Sequence, residues 1–164
     1  MRQLLIIRHA IAHERNAALW KNDELRPLTA RGNRNFRRTA RRVADLFDCP
    51  DELLTGSLKR ARQTARILRE EAGFPKPAQF PALKPRMPAA ALIAALRKRR
   101  GERLAIVGHE PQLSVLVSEL LAGSRSKVNC PLKKGGIVLL QFSDAIAAGR
   151  GELLLFAPPR VFRD

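Results

Sequence analysis

Two short runs of apolar residues lead directly into histidines. Leu4–Ile7 is followed by Arg8 and His9, and Leu104–Val107 is followed, after one glycine, by His109. An uninterrupted apolar run of this length is typical of a strand buried on both faces of a parallel sheet. Open α/β sheets hold their ligands at the carboxyl ends of such strands. The pattern therefore predicts that both histidines face one crevice, although a strand that simply ends in polar residues is the alternative.

The rest of the chain alternates between helical periodicity and short strand-like runs. The first helix, with Thr29 as its predicted cap, has apolar residues at intervals of four, three and four, and an arginine-rich opposite face. It is predicted to end near Asp48–Pro50. The other predicted helices are Leu58–Glu71, Ala89–Arg100 and one that begins at Pro111, and the other predicted strands are Glu52–Thr55, a short one near Gln79–Leu83, Ile137–Phe142 and Glu152–Phe156.

Strands alternating with helices predict an α/β fold of three layers, α/β/α, with a mostly parallel central sheet. The last two strands are joined by Asp144–Gly151, which is too short for a crossover helix and predicts an antiparallel edge strand. The 164 residues contain no linker and no internal repeat, so we expect a single domain over residues 1–164.

The chain is strongly basic, with 31 lysines and arginines against 15 acidic residues. Such an excess attracts anions, which include nucleic acid, phospholipid head groups and phosphorylated substrates. Many of the charges fall on the polar faces of predicted helices, where solvation alone accounts for them. Because aromatic residues are few and no base-reading motif is recognisable, nucleic-acid binding stays a minor alternative.

The sequence does not indicate a membrane protein, a secreted protein or a protein that binds a metal or a nucleotide. There is no apolar stretch long enough to cross a membrane, and the first residues lack a signal-peptide pattern. Cys49 and Cys130 are isolated and have no metal-ligand spacing, so we expect free thiols in a cytoplasmic protein. Zinc and calcium motifs and glycine-rich nucleotide loops are also missing, and we expect neither a metal nor a cofactor.

A third cationic side chain, Arg60, falls in the first turn of the helix that follows the second strand. The free amides at that helix start also favour an anion. A guanidinium matches phosphate oxygens with its planar fork, and an imidazole can attack phosphorus. Two histidines, His9 and His109, and two arginines, Arg8 and Arg60, therefore predict a phosphate pocket.

The same residues carry a resemblance to a known family. Arg8-His9-Ala10, Gly56–Thr64 and Gly108–Pro111 resemble the Arg-His-Gly/Ala, Ser-Pro…Arg-Ala-x-Gln-Thr and second-histidine motifs of the histidine phosphatase superfamily, which has the phosphoglycerate-mutase-like fold. Asp23–Gly32 is similar to the pattern of its short bacterial branch, the SixA-like phosphohistidine phosphatases. The motifs follow one another in the family's order, and the short chain fits this branch rather than the larger mutases.

The resemblance implies a role for each motif residue. His9 would attack phosphorus and form a phosphohistidine intermediate that water hydrolyses. Arg8, Arg60 and His109 would hold the three equatorial oxygens of the transferred phosphoryl group without a metal ion. His109 is then expected to be protonated, because a phosphate dianion favours the charged imidazole. The implied substrate is a phosphorylated partner, a phosphohistidine protein; nothing indicates the oligomeric state.

The sequence departs from the family pattern in two places. Gly56 and Ser57 stand where the family usually has serine and proline, which we expect to alter the turn but not the mechanism. Ala82–Pro88 contains no carboxylate, although many superfamily phosphatases carry a general acid in this segment. An alkoxide leaving group needs that proton more than an imidazole does. The missing acid therefore favours an N–P substrate over a phosphate ester.

Several further residues are candidates for contact with substrate. Glu110 is the nearest substitute acid, although a carboxylate at a helix start is favoured by the helix dipole alone. His13 lies in the long loop after the first strand, where an exposed histidine is the ordinary case. Arg26 either reaches the pocket or anchors that loop against a carboxylate, and we favour the supporting role. Lys133 and Lys134 line the rim or belong to a solvated turn.

Two other functions also fit the sequence. One is a phosphatase of small phosphate esters, and the other is a non-catalytic module that binds phosphate or nucleic acid. The intact set of two arginines and two histidines argues against the non-catalytic module.

Overall fold

The computed structural model describes residues 1–162, which form a six-stranded sheet covered by helices on both faces. The strands are β1 (Arg2–Arg8), β2 (Glu52–Thr55), β3 (Ala78–Gln79), β4 (Arg103–Gly108), β5 (Ile137–Phe142) and β6 (Glu152–Ala157), and the helices are α1 (Ala30–Leu46), α2 (Lys59–Ala72), α3 (Ala89–Arg97) and α4 (Gln112–Ala122). Short 3₁₀ turns cover Asp23–Leu25, Pro81–Leu83 and Pro159–Phe162.

The strand order is β3-β2-β4-β1-β5-β6. The first four strands of this order run parallel to one another, β5 runs antiparallel to β1, and β6 runs antiparallel to β5. This confirms the predicted α/β/α fold with its mostly parallel sheet and antiparallel edge. The carboxyl ends of β1, β2 and β4 consequently meet at one edge of the sheet.

The central strand β1 contributes to two separate cores. Leu4 and Ile6 pack with α3 and α4 on one face, whereas Leu5 and Ile7 pack with α1 and α2 on the other. All four side chains are buried, and each such burial contributes about 1.5–3 kcal/mol. Burial on both faces explains why β1 is an unbroken apolar run rather than an alternating one.

Helix α1 begins as predicted and packs tightly against the chain that leaves β1. The hydroxyl of Thr29 accepts a hydrogen bond from the Gly32 amide at 2.9 Å, which caps the helix. A Cβ at Gly32 would lie 2.1 Å from the Ile11 carbonyl oxygen, so only glycine permits this approach. The contact fixes the start of the loop that leads away from the end of β1.

The prediction of a strand near Gln79–Leu83 is wrong for most of that range. Pairing with β2 ends at Gln79, and the chain turns into the 3₁₀ turn that begins at Pro81. Proline has no amide hydrogen to extend the sheet, so it marks the end of the strand.

Helix α3 ends at Arg97 rather than at the predicted Arg100. The carbonyls of Arg99 and Gly101 instead accept hydrogen bonds from the Arg2 guanidinium, at 2.6 and 2.8 Å. The Arg99 side chain forms an ion pair with Glu52. These contacts turn the chain out of the helix and toward the start of β4.

No helix within residues 1–162 is long and apolar enough to cross a membrane. Both Cys49 and Cys130 are free thiols. Part of the arginine-rich surface is paired with acidic residues, since Arg37 of α1 contacts Glu70 and Glu71 of α2.

Candidate active site

The register between β1 and β4 brings the two histidines together. Arg8 lies opposite Gly108 in the parallel pair, and the His9 amide donates a hydrogen bond to the Gly108 carbonyl at 3.0 Å. His9 and His109 therefore leave neighbouring strands at the same edge of the sheet. A cleft of about 500 Å³ opens there, and its wall includes seven of the candidate residues: Arg8, His9, His13, Arg26, Arg60, His109 and Glu110.

His9 is held in a single tautomer and is neutral at physiological pH. Its Nδ1 lies 2.7 Å from the Ala10 carbonyl oxygen. Because a carbonyl can only accept, Nδ1 carries the proton and Nε2 keeps a lone pair. Burial, reinforced by the charges of Arg60 and Arg8, lowers the pKa of His9 to about 3, although the bond to Ala10 opposes this shift. The site therefore presents an unprotonated imidazole nitrogen.

A buried threonine connects the end of β1 to α2. The Ala10 amide donates to the Thr64 hydroxyl at 3.0 Å, and that hydroxyl donates to the Arg60 carbonyl at 2.7 Å. The backbone that orients His9 is thus tied to the helix that carries Arg60.

Arg8 is half-buried, and a backbone carbonyl group fixes the position of its guanidinium. Its Nη1 donates to the Leu132 carbonyl at 2.7 Å, while its Nε is buried without a hydrogen-bond partner within residues 1–162. Burial lowers the pKa of Arg8, and the nearby charge of Glu110 opposes this shift. The Gly135 amide bonds to the carbonyls of Arg8 and His9, which closes the turn before β5 onto the end of β1.

Arg60 is buried in the first turn of α2 and is bound by Asp23. Its Nη1 donates to the Asp23 carbonyl at 2.9 Å and its Nη2 to the Asp23 carboxylate at 3.1 Å. The Nε of Arg60 is buried and has no partner among the described residues. Desolvation lowers the pKa of Arg60, the charge of Arg26 lowers it further, and Asp23 opposes both effects.

Asp23 is the residue that sequence reasoning left without a role. It also accepts a hydrogen bond from the Nε of Arg26 at 2.8 Å. This bond contributes most to lowering the pKa of the Asp23 carboxyl group. The available signal was the spacing of Asp23 and Arg26, three residues apart in a loop that belongs to the family resemblance. The spacing alone does not reveal the second partner, Arg60.

Arg26 contacts both a carboxylate and a backbone carbonyl of the loop that follows β1. Its side chain is buried, and besides the Asp23 contact its Nη1 donates to the His13 carbonyl at 2.5 Å. The His13 ring packs against Trp20, with ring centroids 5.5 Å apart, and His13 is exposed at the cleft wall. Arg26 therefore fixes the loop after β1 over the pocket.

The protein surroundings of His109 favour its neutral form. Burial, followed by the charges of Arg60 and Arg8, lowers the pKa of His109. The site by itself therefore favours a neutral His109. The expected protonated form requires an anion to supply the opposing charge.

Glu110 acts as a cap for α4. One of its carboxylate oxygens accepts a hydrogen bond from the Ser114 amide at 2.9 Å. A carboxylate at a helix start is favoured by the helix dipole whether or not it also serves as an acid. Of the two lysines before the glycine pair, Lys134 lies in the cleft wall, whereas Lys133 is exposed outside it.

The two segments that depart from the family pattern, Gly56–Ser57 and Ala82–Pro88, are in contact with each other. A Cβ at Gly56 would lie 3.1 Å from the Leu83 carbonyl oxygen, so glycine allows the segment Ala82–Pro88 to pack closely on the end of β2. From this carboxylate-free segment, Pro85 and Arg86 reach the cleft wall.

Comparison with known proteins is consistent with this geometry. Residues 4–86, about half of the chain, match the model of the histidine phosphatase superfamily (branch 1). An uncharacterised protein of Picosynechococcus sp. is 34% identical over 163 residues, which cover 96% of this chain and 97% of the relative.

Solved structures share the fold. The protein histidine phosphatase SixA in complex with tungstate has a TM-score of 0.80 at 23% identity, covering 97% of this chain and 98% of its own. A phosphoserine phosphatase variant from Entamoeba histolytica, in complex with phosphoserine, has a TM-score of 0.70 at 16% identity, covering 98% of both chains. The family model, which matches residues 4–86, shows that this chain belongs to branch 1 of the histidine phosphatase superfamily.

Proposed function

We propose that the protein is a phosphatase that removes the phosphoryl group from phosphohistidine on a partner protein, with His9 as the nucleophile. The observation that carries the proposal is the state of His9: its Nδ1 proton is held by Ala10, and its Nε2 lone pair is free at neutral pH. A neutral imidazole among arginines suits attack on an anionic phosphoryl group.

The reaction proceeds in two displacements. The substrate imidazole first takes up a proton from solvent on its unphosphorylated ring nitrogen. The Nε2 lone pair of His9 then forms a bond to phosphorus while the P–N bond of the substrate breaks, and its electron pair stays on the departing nitrogen, so that neutral imidazole leaves. Water then attacks phosphorus and releases one proton to solvent, while the bond to His9 breaks and its electron pair returns to Nε2. Inorganic phosphate leaves, and His9 is neutral again. Two easier steps replace one difficult step.

Arg8, Arg60 and His109 are assigned to the phosphoryl oxygens. The Nε groups of both arginines are buried donors with no partner in the described part of the chain. A buried donor without an acceptor costs about 1–3 kcal/mol, and phosphoryl oxygens would provide acceptors. His109 gains a proton as the dianion binds, which completes the positive surroundings of the transferred group.

The carboxylates of the cleft are poorly suited to act as a general acid, which favours an N–P substrate over a phosphate ester. Glu110 is engaged as a helix cap, and the arginine contacts of Asp23 lower the pKa of its carboxyl group, so it is a poor proton donor. Glu14 and Glu24 are exposed on the outer wall. An imidazole leaving group accepts a proton readily by itself, whereas an alkoxide needs a positioned acid.

The proposal includes independence from metal ions, with the arginines providing the positive charge. Within residues 1–162, no three metal-ligating side chains converge. The free thiols of Cys49 and Cys130 support a reducing compartment, and we propose a cytoplasmic bacterial enzyme.

A matched pair of peptides tests the proposal. The peptides carry phosphohistidine or phosphoserine at the same position, and phosphate release is measured in excess chelator. We expect kcat/KM for phosphohistidine to exceed that for phosphoserine by about 10²-fold or more, the range that general acid catalysis supplies. Equal or faster hydrolysis of phosphoserine would assign the enzyme to phosphate esters. Activity that appears only when a divalent metal is restored would contradict metal independence.

A further inference from the structure

Arg86 adopts a backbone conformation that is costly for its residue type. Its φ of 68° lies in the left-handed region, and it is the only residue other than glycine within residues 1–162 with a positive φ. A side chain with a Cβ pays roughly 1–2 kcal/mol there. Such strain persists where surrounding contacts enforce it, and it concentrates at functional sites.

The surrounding contacts come from Gln112, the first residue of α4. Its buried side-chain amide nitrogen lies 3.2 Å from each of the carbonyl oxygens of Ala82, Lys84 and Met87. One side chain therefore fixes the backbone on both sides of Arg86. Because Gln112 follows His109 by three residues, the loop is held in a constant position relative to the proposed phosphate site.

The Arg86 side chain differs from the other arginines of the cleft. Arg8, Arg26 and Arg60 each donate hydrogen bonds within the protein, and Arg15 forms an ion pair with Asp23. Arg86 is exposed in the cleft wall and has no hydrogen bond or ion pair among the described residues. A guanidinium remains charged at physiological pH and cannot serve as a general acid. The loop therefore presents an unpaired, permanent cation to the substrate.

We propose that Arg86 is a specificity residue that binds a carboxylate of the substrate protein next to the phosphohistidine. The proposal rests on the proposed function. The three equatorial oxygens of the phosphoryl group are already assigned to Arg8, Arg60 and His109, so Arg86 is available to a second anionic group. A guanidinium and a carboxylate form strong, charge-assisted and often bidentate hydrogen bonds.

The test uses two phosphohistidine peptides that differ only in the two residues flanking the phosphohistidine, which are aspartate in one peptide and asparagine in the other. We expect wild-type kcat/KM to be about tenfold higher for the aspartate peptide, within the range of a charge-assisted hydrogen bond. Arg86→Gly should reduce the ratio to about one, and Arg86→Lys should restore part of it. Glycine accepts the positive φ, so this variant is expected to fold, which thermal unfolding checks.

Lys84→Ala is the matched control, because Lys84 is an exposed cation of the same loop that does not line the cleft. It should retain the wild-type ratio. An unchanged ratio in Arg86→Gly, or an equal fall in Lys84→Ala, would overturn the proposal. A loss of equal size for both peptides in Arg86→Gly would also overturn it and would place Arg86 on the phosphoryl group. Failure of the wild type to hydrolyse either peptide would instead reject the proposed function, and the inference with it.

Discussion

Asp23 binds Arg60 through two groups at once, its backbone carbonyl and its carboxylate. The two residues are separated by 37 positions in the sequence. Through this contact, the loop that follows β1 determines where a buried guanidinium lies at the start of α2. The same carboxylate also binds Arg26, so one acidic residue holds two buried arginines in the wall of the cleft that contains His9.

Asp23→Asn should therefore impair catalysis without unfolding the protein. Without the negative charge, Arg26 and Arg60 repel each other and Arg60 shifts away from the phosphoryl group. We expect kcat for phosphohistidine to fall about 10–10²-fold, since displacement of a catalytic group by about 1 Å has effects of this size. Steady-state kinetics measures the change.

Asp48→Asn is the control for this variant. Asp48 forms an ion pair with Arg103 at the start of β4, at the sheet edge opposite the site. The Asp48→Asn variant should be as active as the wild type. If Asp23→Asn also retains full activity, Asp23 does not position Arg60 for catalysis.

The central part of the site could be predicted from the sequence because its residues lie at the ends of strands. The apolar runs before Arg8-His9 and before His109 identify two buried parallel strands, and parallel strands place their carboxyl ends together. Helical periodicity likewise identified α1 and its Thr29 cap. These features depend on residue type and local spacing, which a single sequence shows directly.

The rest depends on contacts that leave no pattern in residue types. The partner of Arg8 is the backbone carbonyl of Leu132, and any residue could supply that carbonyl. The left-handed conformation of Arg86 is imposed from α4 by Gln112, and nothing at position 86 indicates it. The lowered pKa of His109 likewise results from burial and neighbouring charges that appear only in the folded chain.

The neutral state of His9 predicts a loss of stability in acid. The pKa of His9 is about 3 in the folded protein, against about 6.5 in an unfolded chain. The unfolded state therefore binds the extra proton as the pH falls below 6.5, and stability decreases from there toward pH 3. Between pH 8 and pH 5, His9 should account for about 2 kcal/mol of lost unfolding free energy.

Urea unfolding of the wild type and of His9→Gln at the two pH values measures this contribution. The glutamine variant lacks the titrating group, so its stability should fall less between pH 8 and pH 5. Equal losses in the two proteins would show that His9 is not held neutral by the fold.

His109 predicts that anion binding depends on pH. Sulfate keeps its double charge across the neutral range and serves as a phosphate probe. Because the folded site lowers the pKa of His109 and a dianion raises it again, sulfate should bind more tightly at pH 6 than at pH 8. Calorimetric titration should show this dependence weakened in His109→Asn. A variant with the full wild-type pH dependence would exclude His109 as the group that gains the proton.

Glu110 can be tested with a substitution that separates its two roles. Glu110→Gln keeps a side-chain oxygen for the Ser114 amide but removes the acidic proton. Hydrolysis of phosphohistidine should fall by only a few-fold, far less than the 10²–10⁴-fold that loss of a general acid causes. Glu110→Ala removes the acceptor as well and should cost about 1 kcal/mol of stability. A loss of 10²-fold or more in the glutamine variant would identify Glu110 as the acid.

Trapping of the phosphoenzyme tests the central claim most directly. The wild-type enzyme is mixed with phosphohistidine substrate carrying ³²P, quenched in base within milliseconds, and digested to locate the label. We predict a label that is stable in base and labile in acid, and that resides on the peptide containing His9. His9→Ala, shown to be folded by its thermal unfolding, should give no label and no turnover. A label on another residue, or turnover near the wild-type rate in His9→Ala, would contradict the assignment of His9 as the nucleophile.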